Sequence, residues 1–391
     1  MRTIVVVGGS LAGLSTARAL RNQGFDGRLF IVSDEHHRPY DRPPLSKTFL
    51  AGAATEAEIA LEATDEDLDA DWRFGIKATA LDRSGRRLDL SDGRSIVADG
   101  VVLATGASPR RLPGSSRLAG AHVLRSLDDS RSLRRDLNSG VRLGVVGAGF
   151  IGAEVASTAR SLGLDVTVVE AANHPLAGPL GAEMGSVVSS LHADHGVEML
   201  CGLGVHGLTG RDRVTGVALA DGRVVDADVV LVGIGVRPNT AWLAGSGLAA
   251  ADGIVCDAYG ATSLPNVVAV GDCAAWYEPA LGRHHRFEHW TAARERGAIA
   301  AATLLSGGTE RRSGRPPYIW SDQYGLTIQI AGRIAAADSI VVEEGSTADH
   351  DFLAVYRRGT DPVAVLAMGH GRSFMRWRRQ LATATIPARQ E

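Results

Sequence analysis

The sequence predicts an α/β protein with two Rossmann-like nucleotide-binding units followed by a smaller α+β unit. Three observations predict it. Short apolar runs rich in β-branched residues recur at 4–7, 29–32, 101–104, 143–146, 166–169, 229–232 and 267–270. Several lack polar alternation, which suits parallel strands covered on both faces. Helix-like stretches, such as 12–23 and 151–162, fall between the runs and complete βαβ units. Two of these units open on a glycine-rich turn.

The composition is that of an ordinary globular protein. The 391 residues are 45% hydrophobic and 22% charged, enough for two or three domains with a sizeable core. The 41 basic and 44 acidic residues leave a formal charge of −3, so no basic domain points to nucleic acid. The three cysteines, Cys201, Cys256 and Cys273, stand at no dithiol or zinc spacing. They read as reduced, buried thiols, and no metal is expected. The N-terminus, MRTIVVVGG, enters a strand at once and carries no leader pattern. No apolar run approaches the ~20 residues that span a bilayer. A cytoplasmic protein without membrane attachment is expected.

The first turn lies in VVVGGSLAG, residues 5–13. In a strand–turn–helix of this kind the first glycine makes the tight bend and the second admits a pyrophosphate. The third lets the helix pack closely, and the helix N-terminus favours the phosphates. Gly8 and Gly13 fit the first and third roles, whereas Ser10 replaces the second glycine. Asp34 and Glu35 follow the next strand, about 20 residues on, where an acid accepts from ribose hydroxyls.

The second turn, LGVVGAGFIGAE at 143–154, completes GxGxxG with Gly147, Gly149 and Gly152. Glu170 ends the following strand, VTVVE. A carboxylate there accepts from the adenine ribose 2′-OH and repels a 2′-phosphate. Ala171 and Ala172 follow, with no arginine to hold that phosphate, which favours NAD(H) over NADP(H). Two dinucleotide sites in one chain point to two cofactors that exchange electrons.

The order of signals places the second unit as an insertion. Residues 1–106 and 236–310 form the discontinuous first unit, 107–235 the inserted one. The Gly271–Asp272 signal marks the return. Residues 307–317, rich in Gly, Arg and Pro, read as a linker. Strand-like segments at 327–331, 352–356 and 363–368 and a basic helix-like tail make 316–391 the third unit.

At this point the sequence resembles the FAD-dependent pyridine nucleotide oxidoreductases of the glutathione-reductase-like fold. Within them it resembles the ferredoxin reductases of oxygenase systems. The most telling segment is PYDRPPLSK at 39–47. Supporting segments are LATGASP at 103–109, GIGVRPN at 233–239, TSLPNVVAVGD at 262–272, EHW at 288–290 and WSDQY at 320–324. The resemblance covers nearly the whole chain. It assigns FAD to the first unit and NADH to the second. It implies flavin contacts at Gly8, Ser10, Leu11, Ala12, Gly13, Asp34, Glu35, Arg42, Lys47, Ala78, Ala104, Thr105, Gly106, Arg125, Gly271, Asp272, Glu288 and Trp290. It implies NADH contacts at Gly147, Gly149, Phe150, Ile151, Gly152, Glu154, Glu170 and Gly235.

The resemblance also implies a mechanism. Lys47 provides a cation near the flavin, and Glu154, on the helix after the second turn, lies near the nicotinamide and pairs with Lys47. Related disulfide reductases carry a redox-active cysteine pair where this chain has Pro43, Pro44 and Ser46. Electrons therefore leave directly for an external acceptor, a 2Fe–2S ferredoxin feeding a cytochrome P450 or Rieske oxygenase. Rubredoxin or a quinone is an alternative acceptor. A redox-responsive protein like apoptosis-inducing factor, or a flavoprotein without catalysis, is an alternative class. Arg311, Arg312 and Arg315, with Arg372, Arg376, Arg378 and Arg379, are candidate ferredoxin contacts or a solvated face. Monomer and homodimer both stay open. Two departures from the resemblance are Gly178, where an arginine is common, and Gly369–His370, where Asn–Arg is common.

Overall fold

In the computed structural model, which describes residues 1–307 and 316–384, the chain groups into two compact units. The first contains Met1–Asp41, Ile59–Ser108 and residues 237–307; the second contains Arg42–Glu58, Pro109–Val236 and residues 316–384. Residues 42–58, continuous in sequence with the first unit, thus lie in the second. The reason is local. The 3-10 turn Pro43–Ser46 is held by side chains of two helices of that unit, Ser130 Oγ donating to Leu45 O at 2.8 Å and Thr158 Oγ1 to Ser46 O at 2.7 Å.

The first unit is built on a five-stranded parallel sheet. Its spatial order is Val267–Ala269, Gly100–Leu103, Thr3–Val7, Arg28–Val32, Ala70–Arg73. Ile4, Val5 and Val6 are fully buried, as continuous apolar strands in a covered sheet must be. Burying each such side chain contributes about 1.5–3 kcal/mol. The Ala70–Arg73 strand carries alternating polar residues at the sheet edge, and its apolar signal is correspondingly weak. Helix Leu11–Asn22 buries Ala12, Gly13, Leu14, Ala17 and Leu20. It packs on helix Trp290–Ser306 at a point where a Cβ on Gly297 would lie 3.0 Å from Thr16 N, so the missing side chain permits the approach.

The second unit repeats the plan. Its parallel sheet runs Glu198–Cys201, Asp165–Glu170, Arg142–Val146, Val229–Val232, Ala121–His122. The C-terminal segment adds a five-stranded antiparallel sheet in the order Tyr318–Gln323, Leu326–Gly332, Asp361–Met368, Asp351–Arg358, Ser339–Ser346. The three strand segments expected there are present, each longer than its apolar run. Alternation sorts its faces. Leu353, Val355 and Val365 pack under Phe374 and Leu381 of helix Gly371–Ala384, while Phe352, Ala354 and Tyr356 pack against Leu176, Leu180 and Met184. Gly369 sits at φ +82°, and a Cβ there would lie 2.1 Å from Asp351 Oδ1. That backbone favours glycine, and asparagine also takes it, so nothing in the structure explains the departure at this position. His370 lies between Glu344 (3.2 Å) and Asp351 (3.3 Å). Among the described residues no helix is long and apolar enough to cross a membrane.

Candidate active site

A parallel sheet brings the C-terminal ends of all its strands to one edge, where ligands of open α/β sheets bind. In the first unit that edge carries the glycine turn after Val7, Asp34 after Val32, Ala104–Gly106 after Leu103 and Asp272 after Ala269. In the second it carries Gly147–Gly152, Glu170 and, after Val232, Gly235.

The first turn has the geometry its sequence requires. Gly8 lies at φ +120°, and a Cβ on it would be 2.1 Å from Ala104 O. A Cβ on Gly13 would be 1.8 Å from Gly8 O. Ser10 is the N-cap of the helix in extended conformation, yet its side chain makes no cap bond, and no acid occupies the first turn. The first amides of a helix, here those of Leu11, Ala12 and Gly13, have no intrahelical acceptor. A helix start of this kind suits an anion. Helix Leu127–Asp136 shows the contrast. Its Ser126 and Asp129 form a complete capping box, which closes that N-terminus to ligands.

Around this turn the structure assigns partners that the sequence left open. Val32, whose carbonyl accepts from the Gly8 amide, is followed in register by Ser33; Asp34 and Glu35 come one and two residues later. Glu35 is engaged by the Tyr40 hydroxyl, while Asp34 is exposed. Thr105 is tied to Asn239 by two hydrogen bonds of 2.8 and 2.9 Å, which fixes the Ala104–Gly106 turn. Gly271 takes φ +70° beside Ala12, and Asp272 follows in a 3-10 turn. Trp290 Nε1 donates to Asp41 at 2.7 Å, and Glu288 pairs with Arg286. Ala78 opens the half-buried strand Ala78–Leu81. Burial lowers His289, the N-cap of the Trp290–Ser306 helix, to about 4, with Asp272 opposing.

In the second unit Gly147 lies at φ +98°, and a Cβ on Gly152 would be 2.0 Å from Gly147 O. Gly149 differs: a Cβ there meets nothing within 4 Å. Its space faces outward, as the second glycine of a dinucleotide turn should. Helix Phe150–Ser161 also starts without a side-chain cap or an acid in its first turn. Phe150 is half-buried and Ile151 is 43% exposed. Glu170 leans over the turn, accepting from the Ala148 amide at 2.6 Å and from the Ala172 amide at 2.8 Å. Gly235 accepts from the Arg110 amide at 2.9 Å. Gly178 has open space around its Cβ position.

Arg42, Lys47 and Arg125 also lie in this unit. Arg42 Nη1 donates to Arg125 O at 2.6 Å. Lys47 Nζ stands 2.7 Å from Glu154 Oε2, with side chains 15% and 4% exposed. Such a buried pair persists only when its remaining valences are filled. Here Pro43 O accepts from Lys47 at 3.1 Å, and Ser46 and Ser321 lie 2.5 and 2.7 Å from the Glu154 oxygens. The serines were not legible as site residues, because nothing in their local sequence names their partner.

No reactive thiolate is available at these sites. Burial pushes the thiols of Cys256 and Cys273 up, and burial with the nearby Glu170 charge does the same for Cys201. The family model for pyridine nucleotide-disulphide oxidoreductases matches residues 2–297. The chain belongs to this family. A second model, the reductase C-terminal domain, matches residues 318–391. Rhodocoxin reductase from Rhodococcus erythropolis is 39% identical over 97% of this chain and 90% of its own length. The ferredoxin–NAD(+) reductase component of the biphenyl dioxygenase system from Paraburkholderia xenovorans is 39% identical over 87% of this chain and 83% of its own. The structure of the covalent putidaredoxin reductase–putidaredoxin complex aligns with a TM-score of 0.93 at 34% identity, covering 98% of this chain and 93% of that one.

Proposed function

We propose that this chain is an NADH-dependent ferredoxin reductase. It takes a hydride equivalent from NADH and passes single electrons to a 2Fe–2S ferredoxin that feeds a cytochrome P450 or Rieske oxygenase. The observation that carries the reading is the buried Lys47–Glu154 pair, next to the Pro43–Ser46 turn that the resemblance sets where disulfide reductases have their dithiol. Without a dithiol, electrons have no protein relay and must leave for an outside acceptor.

FAD, when bound, supplies the step that joins a two-electron donor to a one-electron acceptor. The protein holds and orients. The amides after Gly8 would hold the flavin nucleotide's pyrophosphate, with Asp34 to accept from its ribose and Asp272 from its ribityl chain. Lys47 would supply the cation that negative charge developing on the reduced flavin calls for. The amides after Gly147 hold the NADH pyrophosphate, and Glu170 accepts from its adenine ribose. Relatives named as ferredoxin reductase components of oxygenase systems support the acceptor.

The test is cytochrome c reduction by NADH, with and without an added 2Fe–2S ferredoxin, repeated with NADPH. A large ferredoxin-dependent rate with NADH, and a small one with NADPH, is expected. Rapid flavin bleaching without ferredoxin-dependent turnover would send the search to rubredoxin or a quinone.

The ferredoxin contact is a second proposal. Arg372, Arg376 and Arg379 are exposed at spacings of four and three, so they share one stripe of the C-terminal helix. Arg378 lies instead over the Tyr318 ring, 4.2 Å from its centroid. Arg311, Arg312 and Arg315 lie outside the described residues. Acidic ferredoxins are steered by such charge. Changing the three stripe arginines to alanine should raise the KM for ferredoxin about tenfold and flatten its salt dependence. Flavin reduction by NADH should be unchanged. A wild-type salt profile would remove this stripe from the docking surface.

A further inference from the structure

Behind Glu154 lies a line of buried polar side chains that the reading above does not use. Ser321 is fully buried, Gln323 is 1% exposed and His192 fully buried. Ser321 Oγ lies 2.7 Å from Glu154 Oε1, and Gln323 Nε2 donates to Ser321 Oγ at 3.0 Å. Because Ser321 Oγ receives that hydrogen, its own hydrogen goes to the carboxylate. Gln323 Oε1 and His192 Nε2 are each buried without a partner at hydrogen-bond distance. On the other side of the ring, His192 Nδ1 lies 2.6 Å from the Tyr324 hydroxyl. Buried polar atoms of this kind are costly unless paired.

Burial, reinforced by His195, lowers His192 to about 4, so its ring is neutral at neutral pH. One ring nitrogen then carries a hydrogen and the other accepts. Burial raises the Tyr324 hydroxyl, which therefore keeps its hydrogen and is able to donate to Nδ1. With Gln323 Nε2 turned to Ser321, a pairing of Gln323 Oε1 with His192 needs the imidazole hydrogen on Nε2, which leaves Nδ1 to accept from Tyr324. Every donor then points the same way, from Tyr324 to Glu154. Main-chain anchoring holds the line in place: the Tyr324 amide donates to Ser157 Oγ at 2.7 Å, and Tyr324 takes φ +52°.

We propose that the two unpartnered atoms, Gln323 Oε1 and His192 Nε2, close on each other, so that Ser321, Gln323 and His192 make a one-way hydrogen-bond chain that fixes the orientation of the Glu154 carboxylate, and so of Lys47. They are positioning residues, since none is required to touch substrate or flavin. The inference rests on the reading of Lys47 and Glu154 given above. It assigns the C-terminal sheet, through strand Tyr318–Gln323, a part in the NADH half-reaction.

Two measurements on the holoenzyme test it. In protein with 15N-labelled histidine, the His192 ring should show hydrogen on Nε2 and none on Nδ1, and Gln323→Leu should disturb that pattern. A hydrogen on Nδ1 would overturn the chain. In stopped flow, Ser321→Ala should lower the limiting rate of flavin reduction by NADH about tenfold, the worth of one hydrogen bond to a charged group. NADH affinity should be unchanged. In a Lys47→Met background the same change should add nothing, because the carboxylate no longer has a cation to place. An equal tenfold loss in that background would mean a merely structural role. A wild-type rate in Lys47→Met alone would overturn the reading of the ion pair. A slowed Lys47→Met beside a wild-type Ser321→Ala would overturn this inference alone.

Discussion

Replacing Lys47 by Met is expected to slow flavin reduction by NADH by about two orders of magnitude. Two effects add. On the proposed assignment the cation that answers charge on the reduced flavin is lost, and removal of one preorganised charge or donor typically costs ~10²–10³ in rate. The Glu154 carboxylate, whose side chain is 4% exposed, is left with Ser46 and Ser321 as its donors. Removing one partner of a buried pair strands the other and costs about 3–5 kcal/mol of stability. Glu154→Gln separates the two effects. An amide at 154 needs no counter-ion, so Lys47→Met with Glu154→Gln should regain much of the lost stability and little of the lost rate. Thermal unfolding and stopped-flow reduction of the same samples check this. If the double variant regained both, Lys47 would serve packing alone.

Changes at the second glycine turn should split binding from folding. A Cβ on Gly152 would lie 2.0 Å from Gly147 O, a backbone atom that cannot give way without moving the turn. Gly152→Val should therefore push helix Phe150–Ser161 off its strand. Such overpacking costs about 1–3 kcal/mol or more, and the KM for NADH should rise at least ~100-fold through loss of the pyrophosphate cradle. The flavin should stay bound, since its turn at Gly8–Gly13 belongs to the other unit. Gly149 makes the control. Its Cβ position is open, so Gly149→Ala should leave the melting temperature within error. It should still raise the KM for NADH about tenfold, because the added methyl stands where the pyrophosphate backbone must come close. Equal KM values for Gly149→Ala and wild type would show that NADH does not lie against this turn.

Much of the fold is legible because it is written locally. Continuous β-branched runs mark Thr3–Val7 and Arg142–Val146 as covered strands, and the glycines after each mark the turns. Strands with weak or mixed signals were not legible. Ala70–Arg73 sits at a sheet edge with polar residues, and Ala121–His122 spans two residues. Ser339–Ser346 is an edge strand with Val341 and Val342 both exposed and a register shift between Val342 and Glu344, which breaks alternation. The site was legible where chemistry and spacing coincide, as at Glu170. It was not legible for Asn239, Asp41 or Ser321, whose partners stand far away in the chain.

The sequence by itself determined the two nucleotide turns, the acids that follow their strands, the preference for NADH and the absence of a dithiol. Each depends on residues within one βαβ unit, where backbone geometry ties spacing to position. Only the tertiary structure decided which unit holds Pro43–Lys47, that Ser46 and Ser321 join Lys47 on Glu154, and that Gln323 and His192 stand behind it. Those contacts join segments more than a hundred residues apart. Hydrophobic periodicity says which face of an element is buried. It does not say which distant polar side chain will be buried against it, because that is set by how whole sheets and helices pack.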